Sequence, residues 1–237
     1  MKTVLITGAA RRGGAAIARR IHARGYRVVL HCRDSSLAEA EQLQQELLAV
    51  RPDSALVWSA ELNQAIGVPP HYGDITGIVA SASSYVDSSL DDFDQRFDID
   101  LQTHLLGHLQ LIRHCKQSLI SHQGAIVAIT DIHVQRASRG FLDYQIAKGA
   151  LAAAMRALAV ELSPHVRVNA VAPGSFEWPS ANNIPEARQQ QIINSTPLRR
   201  IGRFDELAAA VEFLLLDATY TTGATLNVDG GRSAFLE

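Results

Sequence analysis

The sequence predicts an α/β fold with a single doubly wound parallel sheet of the Rossmann type and helices on both faces. Short β-branched runs alternate with segments of helical periodicity along the 237 residues. A glycine-rich turn directly follows the first of these runs. Apolar residues make up 47% of the chain, which is enough for a large core. The length suits one domain spanning 1–237.

The first half of the chain begins with two strand–helix pairs. In order, the predicted elements are a strand at Thr3–Ile6, a helix from Gly13 to Arg24, a strand at Tyr26–Cys32, a helix from Leu37 to Leu47, and strands at Ala55–Ala60 and Ile75–Ala80. Only 15 residues lie between Glu61 and Gly77, and two of them are prolines. A full crossover helix barely fits there, so a trimmed helix or a loop is predicted.

The second half continues the alternation. The predicted elements are helical patterns over 91–119, a buried strand at Ala125–Thr130, a helix over 145–162, a strand at Val166–Val171, a helix at Asp205–Leu215 and a last strand at Thr225–Val228. A polar, proline-containing stretch over 175–197 is predicted to cover the substrate. In open parallel sheets ligands bind outside the carboxyl ends of the strands, so the functional residues are sought there.

The charge balance excludes some classes of partner. The chain has 22 Lys and Arg against 24 Asp and Glu, a formal net charge of −2. A protein that lies along nucleic acid needs a surplus of basic residues, so neither nucleic acid nor a membrane surface is expected as a partner. Two cysteines make neither a disulfide framework nor a four-ligand zinc site, and no metal is expected. Apolar runs are too short for a signal peptide or a membrane span, so we expect a soluble, cytoplasmic protein.

The turn from Thr7 to Gly14 reads Thr-Gly-Ala-Ala-Arg-Arg-Gly-Gly and opens the first helix. Glycines let a backbone approach a pyrophosphate, and a helix N-terminus supplies free N–H groups. Alone, such a turn is equally an ordinary strand–helix connection. Its place between the first strand and the first helix favours nucleotide binding.

The end of the second strand bears on the choice of cofactor. Cys32 stands where an acid that holds the adenosine ribose is expected, and Arg33 follows it. Arg12, in the glycine-rich turn, is expected to reach the same region. These arginines favour NADPH over NADH. Asp34 complicates this preference, since it could pair with Arg33 and weaken it. A solvated loop charge is the alternative for Arg33.

Tyr144 and Lys148 are four residues apart and therefore lie on one face of a helix. A nearby ammonium favours the phenolate, so Lys148 is expected to lower the pKa of Tyr144 and make it a proton donor. Asp131 directly follows the preceding buried strand. The alternative reading of Asp131 is a cap or a turn former.

In this order the motifs, together with Val168–Gly174 and Thr222–Gly231, resemble the short-chain dehydrogenase/reductase family over essentially the whole chain. Three positions resemble its pteridine reductase and dihydromonapterin reductase branch. Arg12 replaces the middle glycine of most members, Asp131 replaces the catalytic serine, and Ala82–Tyr85 matches the branch's Ala-Ser-Ser-aromatic segment.

The resemblance implies an NADPH-dependent reductase of dihydrobiopterin, dihydromonapterin or dihydrofolate that forms a homotetramer. It implies Tyr144 as proton donor, assisted by Lys148 and by Asp131, which orients the substrate. The implied cofactor contacts are Gly8, Arg11, Arg12, Gly14, His31, Arg33, Ser35, Glu61, Leu62, Ser81, Ala82, Ser83, Tyr144, Lys148, Pro173, Gly174 and Ser175. The implied substrate contacts are Arg12, Ser83, Tyr85, Asp131, Tyr144, Gly174 and Trp178.

Other positions depart from the family pattern. Ala80–Ser83 lacks the family's two asparagines, and Asp100 replaces the helix asparagine that holds a relay water. Two alternatives therefore stay open, a short-chain reductase of a ketone or 3-oxoacyl thioester and a catalytically weak NADPH-binding sensor. Plain packing is the alternative role for Trp178, and His133 is not expected to be functional.

Overall fold

The computed structural model describes residues 1–62, 72–178 and 184–234. Within these ranges the chain forms seven strands. They are β1 (Thr3–Ile6), β2 (Arg27–Cys32), β3 (Ala55–Ser59), β4 (Ile75–Ala80), β5 (Ala125–Ile129), β6 (Arg167–Pro173) and β7 (Thr225–Val228). The predicted strands are confirmed, with ends that differ by at most two residues.

The helices surround these strands. They are α1 (Arg12–Ala23), α2 (Leu37–Val50), α3 (Phe93–Leu101), α4 (Gly107–Ser121), α5 (Leu142–Glu161), α6 (Glu186–Asn194) and α7 (Phe204–Glu212). Two π-helical turns, Gln102–Leu106 and Phe213–Asp217, join α3 to α4 and follow α7. The pattern over 91–119 is therefore two helices joined by a π turn, where the sequence indicated continuous helical periodicity.

Two predicted connections need comment. The stretch over 175–197 contains α6, which its polar sequence did not predict, and residues 179–183 of it lie outside the described residues. Most of the short crossover between Glu61 and Gly77 also lies outside them, at 63–71.

The strands form one sheet in the order β3-β2-β1-β4-β5-β6-β7, and every neighbouring pair is parallel. The doubly wound sheet predicted from the alternation is therefore confirmed. The strand order reverses between β1 and β4, which opens a crevice at their carboxyl ends. The glycine-rich turn after β1 and the segment after β4 meet there.

Buried apolar residues lie on both faces of the sheet. On one face α1, α2 and α7 contribute Ile17, Leu43 and Val211 to the core. On the other, α4 and α5 contribute Leu111 and Leu151. These layers hold the carboxyl edge of the sheet as a rigid platform. Among the described residues, no helix combines the length and the apolar character needed to cross a bilayer.

Candidate active site

The glycine-rich turn packs tightly against the segment after β4. Gly8 has a φ of +65°, and a Cβ there would lie 2.8 Å from the Cα of Ala82. A Cβ on Gly14 would lie 2.1 Å from the carbonyl oxygen of Gly8. Both positions exclude a side chain, because one needs a left-handed backbone and the other needs direct backbone contact.

Arg12 begins α1 with a φ of +51°, a left-handed backbone conformation that favours glycine. Its guanidinium donates to the carbonyl of Glu177 at 3.0 Å and lies 5.2 Å from the ring centroid of Phe204. Burial lowers the pKa of Arg12, and Glu177 partly opposes this. The side chain therefore connects the turn to the segment that follows β6.

A cavity of about 700 Å³ lies beside this turn. Of the residues predicted as cofactor or substrate contacts, it is lined by Gly8, Arg11, Arg12, Gly14, His31, Arg33, Glu61, Leu62, Ser81, Ala82, Ser83 and Tyr85. Lining residues that the sequence did not single out include Ser36, Ile99, Thr103 and Phe204. Within the described ranges, no group of three His, Cys, Asp or Glu side chains could hold a metal ion.

In the loop after β2, which contributes Arg33 to the cavity, two contacts differ from those suggested by the sequence. Ser35 is exposed and does not line the cavity, whereas the buried Ser36 does and accepts a hydrogen bond from Arg11 at 3.0 Å. Asp34 accepts from the hydroxyl of Ser59, and no ion pair joins it to Arg33 among the described residues. The pairing of Asp34 with Arg33 that the sequence left open is therefore not formed, and the carboxylate of Asp34 contacts Ser59 of β3 instead.

His31 lies in the floor of the cavity, where its side chain is buried. Its ring packs edge-on against Trp58 at a centroid distance of 5.0 Å. Burial lowers the pKa of His31 to about 4, so the imidazole is neutral at physiological pH.

Asp131 and Tyr144 meet at the carboxyl end of β5. The Tyr144 hydroxyl donates to Asp131 Oδ2 at 2.7 Å. Asp131 Oδ1 accepts the backbone N–H of His133 at 2.8 Å and so caps the short helical turn Ile132–Val134. The capping role that the sequence left open therefore coexists with the contact to Tyr144, because the carboxylate has two oxygens.

Lys148 lies one helical turn after Tyr144 and is almost fully buried. Its Nζ donates to the carbonyl of Ile129 at 2.7 Å and lies 5.7 Å from the ring centroid of Tyr144. Burial lowers the pKa of Lys148 to about 8, and the charge of Asp131 partly opposes the shift.

The expected lowering of the Tyr144 pKa is wrong for this structure. Burial, the charge of Asp131 and the hydrogen bond to Asp131 raise the pKa of Tyr144 well above its ordinary value, with a contact from Ser83 opposing them. A carboxylate in direct contact outweighs an ammonium that faces a backbone carbonyl. Tyr144 therefore keeps its proton throughout the neutral range.

Aromatic rings form one wall above this pair. Tyr85 is 55% exposed, stacks on Phe141 at a centroid distance of 4.2 Å and meets Tyr144 edge-on at 4.9 Å. Burial, followed by the charge of Asp131, raises the pKa of Tyr85 to about 12. Phe141 was not predicted because it lies just before α5, outside any recognised motif.

The remaining predicted contacts lie further along the sheet edge. Gly174 approaches Asp229 so closely that a Cβ would lie 2.8 Å from its Cα. Ser175 accepts from Arg232 at 2.8 Å and lines a second cavity of about 430 Å³. The predicted site residues that line neither described cavity are Asp131, Tyr144, Lys148, Pro173, Gly174 and Trp178.

A buried polar group lies on the helix side of the site and contains Asp100, which the sequence marked as a departure from the family pattern, and His104, which the sequence analysis did not identify. Asp100 is fully buried and its Oδ1 accepts from the Ser84 hydroxyl at 2.8 Å. His104, in the π turn, is fully buried and contacts both Ser83 and Ser84. The spacing of Asp100 and His104, one helical turn apart, was the available sequence signal.

Comparisons with known proteins agree with this architecture. A family model described as enoyl-(acyl carrier protein) reductase matches residues 8–233. An uncharacterized oxidoreductase of Bacillus subtilis is 32% identical over 97% of this chain and 98% of its own. A 3-oxoacyl-(acyl-carrier-protein) reductase of Aggregatibacter actinomycetemcomitans is 31% identical over 97% and 98%.

Two solved structures are similar over the whole chain. They are FolM alternative dihydrofolate reductase 1 from Brucella canis, complexed with NADP (TM-score 0.89), and the same protein from Brucella suis, in complex with NADP (TM-score 0.91). Each is 29% identical, and the match covers 100% of this chain and 96% of that one. With the parallel sheet, the glycine turn and the family match over residues 8–233, the chain belongs to the short-chain dehydrogenase/reductase family of oxidoreductases.

Proposed function

We propose that the protein is an NADPH-dependent reductase that converts a dihydropterin (dihydrobiopterin, dihydromonapterin or dihydrofolate) to its tetrahydro form. The observation that carries the proposal is the hydrogen bond from Tyr144 to Asp131 at 2.7 Å, at the edge of the sheet where ligands bind. It joins a protonated donor to a carboxylate that can also accept from the N–H groups of a pterin's aminopyrimidine ring.

The cavity beside the glycine turn suits the cofactor. Gly8 precedes α1 and Gly14 lies in its first turn. At both positions the backbone carries no side chain, and the free N–H groups of a helix N-terminus bind a pyrophosphate. Arg11 and Arg33 line the same cavity and would bind a 2′-phosphate. Lys148, beside Tyr144 on α5, would bind the ribose next to the nicotinamide. When bound, NADPH supplies the hydride. The NADP complexes of the two Brucella proteins support this choice.

The remaining chemistry belongs to the side chains. Tyr144 holds a proton at Oη that it would give to the substrate, and the Asp131 carboxylate would then take a proton from solvent and pass it to the Tyr144 oxygen through the same hydrogen bond. Tyr85 and Phe141 present a stacked aromatic surface, which suits a flat bicyclic ring.

Reduction of a 3-oxoacyl thioester is the second candidate. The curated relatives that favour it are reductases of this kind with about one third of their residues identical to this chain, including those of Aggregatibacter actinomycetemcomitans and Pseudomonas aeruginosa. Against it stands Asp131, because a carboxylate beside a developing alkoxide opposes the charge that forms.

Purified protein should be assayed with NADPH and either a dihydropterin or acetoacetyl thioester, following the loss of NADPH absorbance. We expect turnover of the dihydropterin and its near-complete loss in Tyr144→Phe. Turnover of the thioester alone would reject the proposal in favour of the second candidate. Tight NADPH binding without turnover of either substrate, unchanged by Tyr144→Phe, would indicate the sensor alternative. The homotetramer and the cytoplasmic location remain predictions.

A further inference from the structure

The π turn places His104 directly behind the segment that lines the cavity. The side chain is fully buried, and its ring meets that of Tyr144 edge-on at a centroid distance of 5.3 Å. π turns in long helices often mark functional positions. None of the roles assigned so far uses this histidine.

The neighbours of the ring determine which nitrogen carries the proton. Nδ1 lies 2.9 Å from the carbonyl oxygen of Asp100, which only accepts hydrogen bonds, so Nδ1 must hold a hydrogen. Nε2 lies 3.1 Å from both the backbone N–H and the carbonyl oxygen of Ser84. A proton on Nε2 would leave the Ser84 N–H facing another N–H and Nδ1 facing the Asp100 carbonyl without a hydrogen, so the contacts favour Nε2 as the acceptor. Burial lowers the pKa of His104 to about 3, and the ring is therefore neutral with its single proton on Nδ1.

This tautomer fixes the direction of the hydrogen bond to Ser83. Ser83 Oγ lies 3.0 Å from Nε2, and a bare Nε2 can only accept. The carbonyl of Ser84, at 3.4 Å, is a more distant acceptor for this hydroxyl hydrogen, and Ser83 also contacts Tyr144. Because the hydrogen is held by the imidazole, the lone pairs of Ser83 Oγ are left for the cavity, which Ser83 lines.

We propose that His104 is a positioning residue that makes Ser83 a hydrogen-bond acceptor towards the substrate, so that the site selects an edge carrying N–H donors. Together with the Asp131 carboxylate, Ser83 then presents an acceptor-rich surface. A substrate that offers only a carbonyl oxygen finds no donor at this position. The inference rests on the proposed function and identifies how that site would recognise the aminopyrimidine ring of a pterin.

The tautomer is tested without substrate. Nitrogen-15 NMR of the purified protein should show one proton, on Nδ1 of His104, with the signals assigned by their loss in His104→Phe. A proton on Nε2 would overturn the inference whatever the enzyme turns over. An absence of pterin turnover would instead refute the proposed function alone.

The effect on recognition is tested by a double-mutant cycle, with the dissociation constant of the pterin followed by protein fluorescence and KM by turnover. His104→Phe should weaken pterin binding by about five-fold, the worth of one neutral hydrogen bond, with a smaller change in kcat. His104→Gln, whose Oε1 can accept from Ser83, should restore binding. In a Ser83→Ala background His104→Phe should change binding by less than about two-fold.

His108 provides the matched control for a purely structural effect. It lies one turn further along the helix, is equally buried and contacts Thr7 Oγ at 2.9 Å rather than Ser83. His108→Phe measures the loss of melting temperature that a buried His→Phe change causes here. An equal loss of pterin affinity by His104→Phe with and without Ser83 would reject the inference.

Discussion

Tyr144 donates its phenolic hydrogen to the carboxylate of Asp131 across 2.7 Å, from the first turns of α5 to the end of β5. The bond keeps the hydroxyl protonated and holds it at the edge of the sheet. Burial of Tyr144, together with the charge and the hydrogen bond of Asp131, explains why the pKa of Tyr144 rises in a site where the sequence predicted that it would fall. The first prediction follows from this pair.

Asp131→Asn should lower the pKa of Tyr144, since it removes the negative charge while it retains the size of the side chain. Carbon-13 NMR of labelled tyrosine, titrated with pH, measures this directly. Asp131→Ser should reduce dihydropterin turnover by about 100-fold, the usual worth of a positioned acid–base group, and should allow reduction of a ketone. Unchanged pterin turnover in both variants would exclude Asp131 from the chemistry.

Lys148→Met should remove NADPH binding and alter the pH dependence of stability. The pKa of Lys148 in the folded state is about 8, below its ordinary value of 10.5, so the unfolded chain binds more protons between these values. The wild-type protein should therefore gain stability relative to the variant as pH rises from 8 towards 10, by about 2 kcal/mol. Urea unfolding of both proteins at pH 7 and pH 10 measures the difference, and a constant difference would contradict the prediction.

Gly14→Ala should destabilise the protein by more than about 2 kcal/mol and abolish NADPH binding, because the new Cβ would lie 2.1 Å from the Gly8 carbonyl oxygen. Gly149→Ala is the control, since a Cβ there meets nothing within 4 Å. Alanine should stabilise α5 at that position by about 0.5–1 kcal/mol. Thermal unfolding with and without NADPH compares the two; equal behaviour would show that the turn tolerates a side chain.

Arg33→Ala should raise KM for NADPH about ten-fold, through loss of a charged contact to the 2′-phosphate, and leave KM for NADH nearly unchanged. Arg33 lines the cavity and forms no ion pair with a described residue, so its charge is free for a ligand. Arg19→Ala, which breaks a surface pair with Glu46, is the control for a lost arginine. Equal changes in KM for both cofactors would contradict the assignment.

Much of the site could be predicted from local sequence. The β-branched runs predicted the ends of the strands to within two residues. The alternation of strands and helices predicted the parallel sheet, because it restricts the architecture to that class. The turn from Gly8 to Gly14 was predictable because only glycine fits where backbone meets backbone. Tyr144 and Lys148 were predictable as a pair because four residues make one helical turn.

Other features depend on contacts between distant parts of the chain. His104 contacts Ser83 across 21 residues, and a π turn that apolar periodicity does not predict brings them together. The direction of the Tyr144 pKa shift depends on burial and on Asp131, neither of which follows from the spacing to Lys148.

The sequence by itself therefore determined the positions of the strands along the chain, the glycines of the first turn and the Tyr144–Lys148 face of α5, since each is set by local geometry. Only the tertiary structure decided the direction of the Tyr144 pKa shift, the hydrogen bond of Asp34 with Ser59 and the contact of His104 with Ser83. Those depend on desolvation and on hydrogen bonds between elements, which act over distances in space that positions in the chain do not encode.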